Sequence, residues 1–160
     1  WMHLIGNMWF LWIFGNNIED SMGHGRFGLF YVLSGAAAAL LQVMINPSSG
    51  IPMVGASGAI SGVMGAYLVL YPRVRVFTIV PIGFFVTSIA LPAWTMLLYW
   101  MALQFLGVLV GRSEGGGVAF GAHIGGFVAG VALIKLFARP DYVAAHQRGH
   151  WRPRRVYGQG

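Results

Sequence analysis

The sequence contains no cysteine and few charged residues. Of its 160 residues, 9% are charged and 57% are hydrophobic, whereas soluble domains carry about 25% charged residues. So few charges cannot cover a surface that faces water, and the composition therefore excludes a soluble globular domain. The high apolar content also excludes a disordered chain. Without cysteine, the chain cannot form a disulfide scaffold, a thiolate zinc site or a cysteine nucleophile.

Three long segments have no charge at all. Residues 27–72, 76–111 and 115–134 contain no Asp, Glu, Lys or Arg. Uncharged apolar runs of about 18 or more residues are typical of membrane-spanning helices. The abundant Trp, Tyr and Phe residues suit the aromatic belts at the two membrane surfaces. The sequence therefore predicts an all-α polytopic membrane protein that contacts the lipid bilayer.

Five spans account for the apolar segments. They are expected from the start of the chain to about Gly15 and at about 27–44, 57–71, 91–110 and 116–137. Residues 76–90 are apolar but short, and Pro81 and Gly83 interrupt them. We interpret this segment as a membrane-associated connection between the third and fourth spans.

The basic residues predict the orientation. Six of the ten lie in the last stretch of the chain, at Lys135, Arg139, Arg148, Arg152, Arg154 and Arg155. With five spans, Arg26, Arg73 and Arg75 lie on the same side as these residues and only Arg112 lies on the other. The positive-inside rule then predicts that the chain starts outside and ends in the cytoplasm, in a membrane such as the bacterial cytoplasmic membrane.

The chain divides into a transmembrane core at 1–138 and a basic cytoplasmic tail at 139–160. Basic and aromatic residues in such a tail favour contact with anionic lipid. The sequence predicts no folded nucleic-acid-binding domain beside them, so we expect no nucleic-acid partner.

The third span predicts irregular backbone within the membrane. Pro47, Pro52 and Gly55 disfavour a helix before Ser57. A helix from Ser57 to Tyr71 is roughly 22 Å long, shorter than the hydrocarbon core of about 30 Å. Because non-helical backbone at that depth must be buried or line a watery cavity, we expect an outward-open polar pocket with Ser57 at its floor.

Ser57 has the features of a nucleophile. It lies in Gly55-Ala56-Ser57-Gly58, where small neighbours leave its hydroxyl accessible. At a helix start, unpaired backbone N–H groups can hold a developing oxyanion. Taken alone, the same residues also fit a helix-capping serine between glycines that pack closely.

His123 is the candidate base. It lies about seven residues into the fifth span, roughly 10 Å deep and on the same outer side as Ser57. An ionisable residue inside a span indicates function, although a histidine bonded to a neighbouring helix is the alternative. Small residues recur every four positions on both spans and would let the helices approach closely, at Gly58, Gly62, Ala122, Gly126 and Gly130.

His3 and Asn7 lie one turn apart near the outer end of the first span. Both could donate hydrogen bonds to an oxyanion, or they could be polar residues used in packing. The acidic residues lie in the tail, in an outer loop or at the cytoplasmic end of the first span. Since none can orient His123, a Ser–His dyad is favoured over a triad.

Four motifs together resemble the rhomboid family of intramembrane serine proteases. In the family's order they are HxxxN at His3 and Asn7, ExxxG at Glu19 and Gly23, GxSG at 55–58, and AHxxGxxxG at 122–130. GxSG alone is a weak signal, but the four motifs in order are highly specific. The resemblance covers residues 3–137.

The resemblance implies a serine endopeptidase with a rhomboid-like helical bundle. It implies Ser57 as nucleophile, His123 as general base, and an oxyanion site made of the Ser57 N–H, His3 and Asn7. The implied substrates are transmembrane segments of other proteins, and no metal or cofactor is required.

Other positions match the family pattern or depart from it. Glu19 resembles a structural polar residue on the cytoplasmic side, and Gln42 resembles one that helps to hold water near the dyad. Family members carry a further span and an amphipathic loop before HxxxN, so the chain looks like five spans of a six-span core. An aromatic residue often follows the nucleophile by four positions and packs on the histidine, but here that residue is Ser61.

Two other classes of function share some of these features. Non-catalytic rhomboid relatives bind membrane clients, but they typically lack the serine or the histidine that this chain keeps. Broken helices with intramembrane polar residues also occur in channels and transporters. The sequence shows no internal repeat and no charged residue at mid-membrane, so a protease is favoured.

Overall fold

The structure is a computed structural model that describes residues 1–48, 56–82, 85–110 and 119–147. The described elements are helices α1 (Met2–Phe10), α2 (Asn16–Met22), α3 (His24–Ile45), α4 (Ser57–Leu70), strands β1 (Arg75–Ile82) and β2 (Phe85–Pro92), and helices α5 (Ala93–Leu109), α6 (Phe120–Phe137) and α7 (Pro140–Gln147).

The first helix continues beyond the predicted end of the first membrane span. A π-helical turn at Leu11–Gly15 joins α1 to α2, and the backbone stays right-handed at both of its junctions. The helix ends at Gly23, where φ is 86° and a side chain would be strained. The end predicted near Gly15 is that of a membrane span and stays a prediction. The helix itself continues through the polar residues, because they change which solvent a helix prefers without breaking its backbone.

Helix α3 runs antiparallel to α4. A Cβ at Gly58 would lie 2.6 Å from the Ala38 Cβ, and one at Gly62 would overlap Ser34. Gly62, the later of the two glycines on α4, therefore meets Ser34, the earlier of the two residues on α3, so the helices run in opposite directions. Along the contact, Ser34 and Ala38 are buried on α3.

Helix α5 runs antiparallel to α6. Gly107 packs against the Phe120 ring at the start of α6, where a Cβ on the glycine would come within 2.7 Å of ring carbons. Two turns earlier on α5, the Trp100 ring faces the Phe127 ring, with 6.4 Å between centroids. Helix α6 packs against α3, α4 and α5, and residues such as Val128 and Leu136 remain exposed.

The core and the exterior are both apolar. Phe14 packs edge-to-face on Tyr67 with ring centroids 5.0 Å apart, and both residues are buried. The outer side of α3 exposes Leu29, Val32, Leu40 and Val43. Such a surface is unsuited to water but suited to lipid tails.

Within the described residues, two helices are long and apolar enough to cross a membrane, α3 and α6, whereas α4 and α5 are shorter apolar helices. Four predicted spans coincide with α3 to α6, with bounds shifted by a few residues. Helix α4 begins at Ser57, as predicted. The count of five spans stays a prediction.

The described residues of the 76–90 segment form two antiparallel strands, so the all-α class was wrong at this point. Strands β1 and β2 pair from Arg75 with Pro92 to Ile82 with Phe85. The segment is rich in β-branched and aromatic residues, which favour extended backbone. Those residue types, rather than the interruptions at Pro81 and Gly83, decide the local structure.

The described start of the tail folds back onto the core. The backbone N–H of Arg139, the residue before α7, donates to the Ser21 carbonyl oxygen at 2.8 Å and so connects the start of α7 to α2. The Arg26 guanidinium donates to the Phe137 carbonyl oxygen at 2.9 Å and satisfies an acceptor at the α6 C terminus. Residues 148–160 lie outside the described part.

Candidate active site

Ser57 is the first residue of α4. The first hydrogen bond of this helix runs from the Ile60 N–H to the Ala56 carbonyl oxygen, at 3.0 Å. The N–H groups of Ser57, Gly58 and Ala59 therefore precede the helical ladder and have no partner within it. The predicted neighbour Gly55 lies outside the described residues.

The helix start beside Ser57 is held by Ser61. The Ser61 hydroxyl donates to the Ser57 carbonyl oxygen at 2.7 Å. Ser61 is itself buried, and this bond satisfies its hydroxyl within α4. It therefore acts on the backbone of Ser57 and supplies no aromatic surface to the site.

Four glycines bring α4 and α6 into backbone contact. A Cβ at Gly126 would overlap the carbonyl oxygen of Gly58, and one at Gly130 would overlap that of Gly62. Because the neighbouring atoms belong to the backbone, no side-chain rotation could make room. The helices run parallel here, and the small-residue pattern read from the sequence lies at their crossing.

This crossing sets the position of the predicted dyad. A Cβ at Gly58 would lie 3.6 Å from the Ala122 carbonyl oxygen. Ser57 and His123 are the chain neighbours of these two residues, so they lie at the same end of adjacent helices. In the described part of the structure, no direct hydrogen bond joins the Ser57 hydroxyl to the His123 imidazole.

His123 is held by α5 instead. Its Nδ1 lies 2.8 Å from Gln104 Oε1, and its ring packs on Trp100 with 5.5 Å between centroids and 37° between planes. Sequence reasoning missed both residues. The available signal was Gln104, an amide within an otherwise apolar predicted span.

Gln42 connects α3 to the start of α6. Its Oε1 accepts a hydrogen bond from the backbone N–H of Ala122, at 3.1 Å. This N–H lies in the first turn of α6, where donors have no partner in the helix. Gln42 thus fixes the residue next to His123, and the described contact is structural.

His3 and Asn7 lie on α1, near the site end of the bundle. His3 is close enough to His123 to interact with it electrostatically. His3 is exposed and Asn7 is half-buried. Among the described residues, neither side chain has a hydrogen-bond partner, so both are available to a ligand.

Glu19 lies at the opposite end of the bundle from Ser57. Its carboxylate contacts the His24 imidazole across the end of the first helix. Nearby, the Asn17 amide donates to the Tyr67 hydroxyl at 3.2 Å. Across the described ranges, no three His, Asp or Glu residues are grouped to hold a metal ion.

Comparisons with known proteins identify the family. The rhomboid domain model matches residues 1–140. Rhomboid protein 1, mitochondrial, of Saccharomyces cerevisiae is 29% identical over 133 residues, which cover 81% of this chain and 36% of that protein. RHOMBOID-like protein 1 of Arabidopsis thaliana is 34% identical over 155 residues, which cover 92% of this chain and 34% of that protein.

A third relative is Rhomboid protease GluP of Bacillus subtilis, 39% identical over 66 residues, or 41% of this chain and 12% of that protein. The chain thus spans about a third of the yeast and Arabidopsis relatives. No solved structure matches the chain. The domain match confirms the family expected from the four motifs, and the chain belongs to the rhomboid family.

Proposed function

We propose that this chain is an intramembrane serine endopeptidase that cleaves transmembrane segments of other proteins. The proposal rests above all on the α4–α6 crossing, where Gly58 and Gly126 are in backbone contact. That contact brings the helix start at Ser57 beside the helix that carries His123. A nucleophile, unpaired N–H donors and a candidate base then share one end of the bundle.

Ser57 and His123 would act as a dyad. As Ser57 Oγ attacks the scissile carbonyl carbon, its proton passes to His123 Nε2 and then to the leaving amine. Water attacks the resulting acyl-enzyme with His123 again as base, and release of the acid product restores both residues. A small rotation or a bound substrate must bring Oγ to the imidazole, as is common for catalytic hydrogen bonds that tighten only in the complex.

The oxyanion would be held by three donors. The Ser57 N–H is free of the helical ladder, and His3 and Asn7 project from the neighbouring α1. Such donors stabilise the charge that develops on the carbonyl oxygen in the tetrahedral state. This assigns to His3 and Asn7 the oxyanion role expected from the HxxxN motif.

The membrane placement follows the same proposal. Five spans would put the Ser57 end of the bundle toward the outer side and residues 139–160 in the cytoplasm. The relatives include proteins named as mitochondrial and chloroplastic and one from a bacterium. The bacterial cytoplasmic membrane remains the sequence-based prediction for this chain.

Cleavage of a transmembrane substrate by protein purified in detergent tests the proposal. Ser57→Ala and His123→Ala should each abolish cleavage, and the double variant should lose no more than either single variant, because the two residues act as one unit. Thermal unfolding should show that all three variants remain folded. If wild type binds the substrate without cutting it, the non-catalytic client-binding function is correct instead.

A further inference from the structure

Gln104 is a buried polar residue on the apolar helix α5. Its exposed fraction is 6%, and an amide at that depth must have both of its polar groups bonded. The amide nitrogen donates to the Trp100 carbonyl oxygen, one turn earlier, at 3.1 Å. The amide oxygen therefore faces away from that carbonyl, toward α6.

The orientation of the amide determines the protonation of His123. A backbone carbonyl only accepts hydrogen bonds, so the group facing Trp100 must be the NH₂. The atom facing His123 Nδ1 at 2.8 Å is then Oε1, which also only accepts. The hydrogen of the neutral imidazole must therefore reside on Nδ1, which leaves the Nε2 lone pair free to accept a proton.

Trp100 restricts the same imidazole from its face. Its ring lies 5.5 Å from the His123 ring, centroid to centroid. Trp100 and Gln104 are one turn apart on α5 and thus reach the histidine from one helix face. An aromatic surface for the histidine is thereby present, although position 61 is a serine that bonds to its own helix.

We propose that Gln104 is a positioning residue that fixes the Nδ1–H tautomer and ring orientation of His123, with Trp100 restricting the ring from its face. The neutral amide takes the place that an acidic residue holds in a catalytic triad. It orients the base without adding a charge inside the membrane, where an ionised carboxylate is costly. This inference rests on the proposed protease function.

The test compares Gln104→Leu with Gln104→Glu in the full chain. Leucine removes the acceptor, and we expect kcat to fall about 10²-fold with KM nearly unchanged, the effect of a misplaced catalytic group. A protonated glutamate adds no charge, and it can donate to the Trp100 carbonyl oxygen while its other oxygen accepts from His123, so its kcat should stay within about tenfold of wild type. Met101→Leu, a substitution of similar volume at a buried position on the same helix, is the matched control and should retain wild-type kinetics.

Nitrogen-15 NMR of the histidines reports the tautomer directly, with His123→Ala used to assign the signal. Wild type and Gln104→Glu should show His123 with the hydrogen on Nδ1, and Gln104→Leu should shift the population toward Nε2–H. An unchanged tautomer in Gln104→Leu, or equal loss of kcat in both Gln104 variants, would overturn the inference. Because the tautomer is read without turnover, failure of the protease proposal alone would leave it unaffected.

Discussion

Substitution of Gly126 tests the helix crossing on which the site depends. A Cβ at this position would lie 2.8 Å from the Gly58 carbonyl carbon and would overlap its oxygen, whereas ordinary contact begins at 3.4 Å. Helices α4 and α6 must therefore separate by at least about 0.6 Å, the difference between these distances. Valine, with two more carbons at the same point, requires a larger separation.

Two effects of different size follow. Overpacking of a close contact typically lowers the free energy of unfolding by about 1–3 kcal/mol. Displacement of a catalytic group by about an ångström can reduce the rate about 10²-fold. We therefore expect Gly126→Val to unfold at a lower temperature, and we expect the loss of cleavage to be the larger effect.

Gly28→Val is the matched control, because a Cβ at Gly28 meets nothing within 4 Å. Both variants place valine in the interior of a helix, so the cost of helix propensity is shared. Thermal unfolding and cleavage should be measured on purified variants in the same detergent. Full activity of Gly126→Val would refute the reasoning, since His123 would then not depend on this crossing.

Three further predictions concern other contacts. His3→Ala and Asn7→Ala should each lower kcat by about 10²–10³-fold with little change in substrate binding, since each removes one oxyanion donor; a change confined to KM would assign them to binding. Gln42→Leu should destabilise the protein by about 1–3 kcal/mol in thermal or denaturant unfolding, because it leaves the Ala122 N–H without its acceptor; unchanged stability would contradict this. Burial raises the pKa of Asp20 despite the opposing effect of His146, so the folded protein retains a proton more readily and its stability should fall as pH rises through the ordinary carboxyl range. Asp20→Asn should weaken the dependence of Tm on pH in the range above the ordinary aspartate pKa, and an equally steep dependence would refute this.

Much of the bundle could be predicted from the sequence because its apolar runs end at residues that also end helices. Proline and glycine before Ser57 set the start of α4, and the four-residue spacing of glycines indicated the face on which α4 meets α6. These features are local in the chain. The family motifs then connected Ser57 with His123 although they are far apart in sequence.

The structure differed from the sequence analysis where local patterns compete. Residues 76–90 carry both helix interruptions and strand-forming side chains, and pairing of two strands favoured the hairpin. Similarly, the polar residues after Gly15 predicted the end of a membrane span, whereas the helix itself continues to Met22 and ends at Gly23 with its positive φ. The strand pairing and the conformation of Gly23 both belong to the folded backbone, and a pattern of residue types along the sequence does not specify them.

The support for His123 could not be predicted because it depends on which face of α5 meets α6. Gln104 and Trp100 are one turn apart, and nothing in the spacing relates them to a histidine on the next span. In the structure both contact the same imidazole. A contact between helices of this kind follows from packing rather than from periodicity.

The most direct test of the central claim is mass spectrometry of the protein after reaction with a fluorophosphonate probe, which reacts with activated serines. We expect one adduct, on the peptide that contains Ser57, formed by wild type and lost in both Ser57→Ala and His123→Ala. Ser61, one turn along the same helix, should remain unmodified because its hydroxyl is buried and bonded to the Ser57 carbonyl oxygen. An unmodified Ser57 in folded wild-type protein, or equal labelling of His123→Ala, would show that His123 does not activate Ser57 as a nucleophile.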